Sequence, residues 1–115
     1  MGKDGEALAA AYLESRGYRI LARGWRGAGR EIDIVAEKGG VVALVEVKTR
    51  RERSLVPPVM AVDWRKRRQI AAAAGAAVDR WSNGARAFRF DVIGVEWGPQ
   101  GPLIEHIEDA FRLDP

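Results

Sequence analysis

Two acids and a lysine, Asp33, Glu46 and Lys48, lie inside runs of Val and Ile where a sheet would ordinarily carry only apolar residues. Carboxylates half-buried at close quarters cannot both stay ionised cheaply unless a cation lies between them, and like charges directly opposed on neighbouring strands destabilise the pair. A divalent metal is the simplest such cation. Mg²⁺ in particular takes hard oxygen ligands from one or two carboxylates and leaves its other positions to water and substrate phosphate. Lys48, two residues past Glu46, reaches the same face and could act beside the metal. The competing reading is a cross-strand salt-bridge ladder from Glu31 to Lys48, with Glu46 solvated at a sheet edge.

The segment that must position these groups runs from Glu31 to Lys48 and reads as a β-hairpin. Gly39-Gly40 tolerates the positive φ angles of a two-residue turn. With that turn as the loop, Asp33 is expected opposite Glu46 and Glu31 opposite Lys48, sharing one face with Val35 and Leu44. Val41 to Val47 is apolar on both faces apart from Glu46, the pattern of a strand covered on both sides.

Around the hairpin, Leu8, Ala11, Tyr12 and Ser15 fall at helical spacing between Asp4 and Arg16, and Gly17 suits the C′ position. Glu6 lies in the first turn, where the helix dipole favours a carboxylate. Tyr18 to Trp25 alternates as a first strand, with Tyr18, Ile20 and Ala22 set against Arg19, Leu21 and Arg23. Gly24, Gly27 and Gly29 read as a turn carrying Arg26 and Arg30. After Lys48 comes a basic, Pro57-Pro58 connection from Thr49 to Val62, an irregular loop beside the charged end of the hairpin. Asp63 is a good N-cap for a helix reaching Trp81, with Ile70, Ala73, Ala74, Ala77, Val78 and Trp81 as its apolar stripe. Lys66 stands at the N-terminal end of that stripe, aimed toward the sheet. Arg65, Arg67 and Arg68 spread over the remaining faces as phosphate contacts or plain surface. Ala87 to Trp97 alternates as another strand containing Asp91, for which a salt bridge to a neighbouring Arg is the simple explanation. A Gly98–Pro102 turn and a short strand from Leu103 to Ile107 follow. His106 has acids nearby at Glu105, Glu108 and Asp109, but adjacent strand positions point to opposite faces, which argues against a metal site there.

At 115 residues, 47% hydrophobic and 30% charged, the chain fits one soluble globular domain, 1–115. It contains no cysteine, so disulfides and thiolate metal sites are excluded and a reducing cytoplasm is comfortable. No run approaches a membrane span and the N-terminus has no apolar signal core, so a cytoplasmic protein with no membrane partner is expected. No Ser-His-Asp or Cys-His constellation is available for acyl transfer. The formal charge is +3, and the eight Lys or Arg between Lys48 and Arg68 face only Glu52 and Asp63. That imbalance suits a nucleic-acid backbone as partner.

The order helix, three strands, helix, strand, with Asp33 on the second strand and Glu46-Val47-Lys48 on the third, resembles the PD-(D/E)XK nuclease superfamily. More specific are Gly5-Glu6, Gly17-Tyr18-Arg19-Ile20-Leu21, Glu31-Ile32-Asp33, Val45-Glu46-Val47-Lys48-Thr49-Arg50, Ala61-Val62-Asp63 before Lys66, Arg89-Phe90-Asp91-Val92 and Ala110-Phe111. Together they resemble the YraN family of small bacterial proteins, similar in core to Holliday-junction resolvases, over nearly the whole chain. Arg30 and Gly24 stand where that family usually has Gly and Asn, and Ser54 to Met60 lacks its usual aromatic-glycine pair.

The resemblance implies an α/β (α+β) fold with a restriction-endonuclease-like αβββαβ core, a central mixed sheet flanked by helices. It implies that Asp33 and Glu46 hold Mg²⁺ or Mn²⁺, that Lys48 orients or deprotonates the attacking water, and that Glu6 completes the acidic set. Glu31 and Asp91 would support these groups, while Arg50, Arg51, Lys66 and Arg67 would contact nucleic acid. The function expected is a metal-dependent endonuclease on DNA, branched or single-stranded, more readily than on RNA. Resolvase activity would require a symmetric homodimer to cut two strands. The alternatives are a non-catalytic nucleic-acid-binding accessory module with the same fold, and an inert protein-interaction domain.

Overall fold

The structure, a computed structural model, describes residues 2–50 and 64–110. Its elements are α1 (Gly2–Ser15), β1 (Arg19–Gly27), β2 (Arg30–Lys38), β3 (Val41–Arg50), α2 (Trp64–Trp81), β4 (Ala87–Gly98) and β5 (Gly101–Ile107). The strands form one sheet in chain order, β1-β2-β3-β4-β5. Only β3 and β4 run parallel, and α2 is the crossover that a parallel pair needs.

Each helix covers one face of the sheet. Ala9, Ala10 and Leu13 of α1 pack with Ile34, Ala36, Ala43, Val45, Ile93 and Val95. Ala73 and Ala77 of α2 pack with Val35, Val42 and Leu44. Odd and even positions of β3 therefore feed different cores, as a strand covered on both sides requires. Val78, expected in the α2 stripe, is 39% exposed instead, because the alanine-rich contact surface of this helix is too narrow to cover it. The side chain of Ile70, the Asp63 cap and the loop containing Pro57-Pro58 lie outside the described residues.

Helix α1 ends as its sequence suggests. Gly17 has φ +90°, the Gly17 N–H donates to the Glu14 carbonyl and the Tyr18 N–H to the Leu13 carbonyl, which together close a Schellman motif. Gly5 performs a different task. A Cβ there would collide with the Thr49 Oγ1, so the absence of a side chain lets the N-terminal half of α1 approach β3.

The hairpin turn is as expected, with φ +59° at Gly39 and +82° at Gly40 and a register running from Lys38↔Val41 to Ile34↔Val45. Two expectations at the opposite end are corrected. The glycine turn after β1 is shorter than expected: the strand continues to Gly27, and only Ala28 and Gly29 turn, at φ +54° and +75°. The β1 alternation also breaks, since the register shifts between Ile20 and Ala22. Ile20 joins the α1 core, while Ala22 and Trp25 both join the α2 core across Gly24, whose φ is +56°. The facing strand changes sides at the same level, with Ile32 in the α2 core and Ile34 in the α1 core. Asp33 sits at that crossover.

Candidate active site

The change of face at Asp33 decides the local geometry. The β2–β3 ladder ends at Ile34↔Val45; beyond it β2 continues against β1 and β3 against β4. The expected pairings of Asp33 with Glu46 and of Glu31 with Lys48 are therefore replaced by an opening between the two strands. An N–H of β3 left without its ladder carbonyl must find another acceptor. That of Val47 donates to Asp33 Oδ2 at 2.8 Å, which places the Asp33 carboxylate against the Glu46–Val47 peptide. Asp33 is 9% exposed and Glu46 6%.

Glu46 and Lys48 follow Leu44 at two-residue steps and so project on the α2 side of β3. Lys48 Nζ lies 3.7 Å from Glu46 Oε1 and remains partly exposed. Glu6 approaches the opening from α1. Burial pushes its carboxyl pKa up, and the nearby Asp33 and Glu31 carboxylates push it further, only partly opposed by Arg23. A carboxyl group that resists ionisation beside two other acids marks a place where negative charge accumulates.

On β4, Glu96 lies in register with Arg50, four residues beyond the position facing Glu46, and its Oε1 is buried with no hydrogen-bond partner among the described residues. It was not singled out in the sequence, where it is one more acid near a turn; only the parallel β3–β4 register places it on this side. Among the described residues no group of three or more His, Asp or Glu converges as a closed metal cage. The donors are instead a pair of nearly buried carboxylates where β2 and β3 part, a set of hard oxygens suited to Mg²⁺ or Mn²⁺ that keeps most of its water and binds phosphate. Asp33 and Glu46 would hold it.

Asp91 behaves differently. It neighbours Val45 in the parallel ladder and faces α1, fully buried. Arg89 Nε and Nη2 each donate to it at 2.8 Å, His106 Nε2 lies 2.8 Å from Oδ2, and the Asp109 N–H donates to Oδ1 at 3.0 Å. Burial opposes its charge, but the bonds from His106, Arg89 and the Asp109 backbone outweigh burial and hold its pKa below the usual carboxylate range. The salt bridge to a neighbouring Arg is thus present, and it belongs to a larger cluster. Arg89 Nη2 also donates to the Tyr18 hydroxyl at 2.6 Å, which in turn donates to Glu108 at 3.2 Å. The sequence pattern gave no hint of the His106–Asp91 contact, since it depends on the β4–β5 register that sets His106 beside Ile93.

The proposed nucleic-acid contacts are placed unevenly. Arg50 ends β3, and Lys66 and Arg67 lie in the first turn of α2, all on described backbone with side chains outside the described residues. Arg51 lies outside altogether. Arg50 lies on the part of β3 beyond its ladder with β2, where β3 still pairs with β4.

A mixed sheet covered by one helix on each face, with a crossover helix between its two parallel strands, has the order of a restriction-endonuclease-like core. The chain belongs to the uncharacterised protein family UPF0102, the YraN family, whose model matches residues 5–95. Similar members include a UPF0102 protein of Geobacter metallireducens, 45% identical over 98% of this chain and 93% of its own length. Another, from Parabacteroides distasonis, is 46% identical over 96% of this chain and 91% of its own. A third, from Symbiobacterium thermophilum, is 44% identical over 97% and 96%. Among the described residues no helix is long and apolar enough to cross a membrane.

Proposed function

We propose that this protein is a cytoplasmic Mg²⁺- or Mn²⁺-dependent endonuclease that hydrolyses phosphodiester bonds in DNA, branched or single-stranded. The observation that carries this reading is the Asp33 carboxylate seated on the Glu46–Val47 peptide, with Lys48 3.7 Å from Glu46. When bound, the metal supplies positive charge against the phosphate oxygens where negative charge grows during in-line attack. Asp33 and Glu46 hold that charge in place, and the backbone bond to Val47 fixes the rotamer of Asp33 so that the pair is preorganised. Lys48, anchored by Glu46 yet partly exposed, presents its ammonium to the incoming phosphate and orients the attacking water. The basic strand end and helix start from Arg50 to Arg67 grip the flanking backbone.

The test is cleavage of labelled single-stranded, duplex and four-way-junction DNA with millimolar Mg²⁺ or Mn²⁺, comparing wild type with Asp33→Ala and Lys48→Ala. Metal-dependent cutting lost in both variants supports the proposal. Binding without cutting, unchanged by Asp33→Ala, would replace it with the accessory-module reading.

A further inference from the structure

The C-terminal end of α1 carries a second polar cavity, of about 320 Å³, lined by Tyr12, Arg16, Tyr18, Lys38, His106 and Glu108. It is set apart from the acidic opening: Glu6 and Arg16 are ten positions apart along α1, about 15 Å at the helical rise. Its volume lies at the small end of the range for ligand sites, roughly 300–1,000 Å³.

Two features suit it to a planar ring bearing an anion. Its walls are aromatic, with the His106 ring edge-on to Tyr12 at 5.6 Å and to Tyr18 at 6.1 Å. Its rim carries two cations held over those rings, Arg16 at 5.2 Å from the Tyr12 centroid and Lys38 at 5.4 Å from that of Tyr18. Lys38 gives one donor to the Arg16 carbonyl at 2.6 Å, which locks it to the end of the helix and leaves two donors for a ligand. Behind the rings, Asp91 and Arg89 fix Tyr18 and His106 through buried hydrogen bonds, so the walls are rigid before any ligand arrives.

We infer that this cavity is a nucleotide subsite for a single strand of nucleic acid, taking one base against the part-exposed Tyr12 ring, which the nearly buried Tyr18 and His106 rings back, and its phosphate between Arg16 and Lys38. Base stacking on aromatic rings beside a cationic rim is how single strands are held without sequence preference. The inference rests on nucleic acid being the partner proposed above, and gives that partner a second point of attachment on the α1 side.

The experiment is fluorescence anisotropy of a labelled single-stranded oligonucleotide with the full chain in EDTA, where nothing is cut, across a salt series. Replacing both cations (Arg16→Gln with Lys38→Gln) is expected to weaken binding and lower the salt slope by about 0.7, the contribution of one phosphate on a single strand. The charge-preserving pair Arg16→Lys with Lys38→Arg retains the slope. Tyr12→Ala is expected to weaken binding about tenfold through lost stacking. Arg19→Gln with Arg80→Gln removes two exposed charges on the α2 side as a control. The inference is overturned if binding and slope are unchanged in the Arg16/Lys38 variant, or if the control pair weakens binding as much. It is also overturned if a free mononucleotide competes as tightly as the strand, which would make this a pocket for free nucleotides. A chain that binds in this way yet never cuts overturns the nuclease reading alone; one that cuts but ignores Arg16 and Lys38 overturns this inference alone.

Discussion

The sheet buries acids in two places, and they are treated in opposite ways. Asp91 is surrounded by donors, from Arg89, His106 and the Asp109 backbone, and its pKa falls. At the opening between β2 and β3, Asp33 lies against the Glu46–Val47 peptide, and the pKa of Glu6 rises through burial and through the Asp33 and Glu31 charges. The first arrangement completes its own charge balance and holds β4, β5 and the turn after β5 together. The second collects negative charge beside a lysine at a sheet edge, where a cation and a phosphate could complete it. Burial alone therefore does not mark a functional acid; the sign of the field around it does.

The largest effect that separates the two regions is on turnover. Asp33→Ala or Glu46→Gln is expected to reduce metal-dependent cleavage by ~10⁴-fold, about 5.5 kcal/mol of transition-state stabilisation. Asp91→Ala should do the reverse, costing about 3 kcal/mol of stability by removing the buried acceptor that Arg89, His106 and the Asp109 N–H share. Equilibrium urea unfolding measures the second. A full loss of cleavage in an Asp91 variant that still melts at the wild-type temperature would erase the distinction. The lowered pKa adds a pH signature. Stability from Asp91 is complete above the unfolded carboxylate pKa and is lost as pH falls through the folded one, so wild type should lose its advantage over Asp91→Asn in acid.

A smaller effect tests the packing that brings α1 to the opening. Gly5→Ala forces a Cβ into Thr49 and should cost about 1–3 kcal/mol by overpacking. It should also reduce cleavage, because Glu6 follows directly on α1. Gly29→Ala is the useful contrast, since nothing lies within 4 Å of a Cβ there; its cost is confined to the strain of φ +75° and should leave cleavage untouched.

Much of this fold is legible in the chain because the determinants are local. The Gly39-Gly40 turn, the C′ glycine at Gly17 and the double-sided apolar run of β3 each fix an element from neighbouring residues alone. What could not be read is the irregularity that makes the site. Strict alternation put Asp33 across from Glu46, whereas at that level Gly24 takes a positive φ, Ile32 and Ile34 feed different cores and the β2–β3 ladder has ended. A positive φ at one glycine among several in a turn-like stretch carries no distinguishing sequence signal. The Asp91 cluster was hidden for another reason. Its members Tyr18, Arg89, His106 and Glu108 come from separate elements, and only the sheet order assembles them.

The smallest predicted effect is the most direct probe of the field at the opening. Because the folded-state pKa of Glu6 is raised, the native protein holds that proton more tightly than the unfolded chain does. Stability from this group is therefore complete below the unfolded carboxylate pKa and is lost as pH rises through the folded value. Glu6→Gln should accordingly raise stability slightly at pH 7, by about 0.5 kcal/mol after allowing for solvent screening of a group this exposed and read as a small rise in melting temperature, and not at pH 3. Burial is the leading cause and the Asp33 charge the next, so the gain should shrink but not vanish in an Asp33→Asn background. Millimolar Mg²⁺ should shrink it in the same way, because a cation held by Asp33 and Glu46 cancels the field that Glu6 feels. A gain unaffected by both Mg²⁺ and Asp33→Asn would mean that Glu6 is raised by burial alone, leaving this region with no more accumulated charge than the one around Asp91.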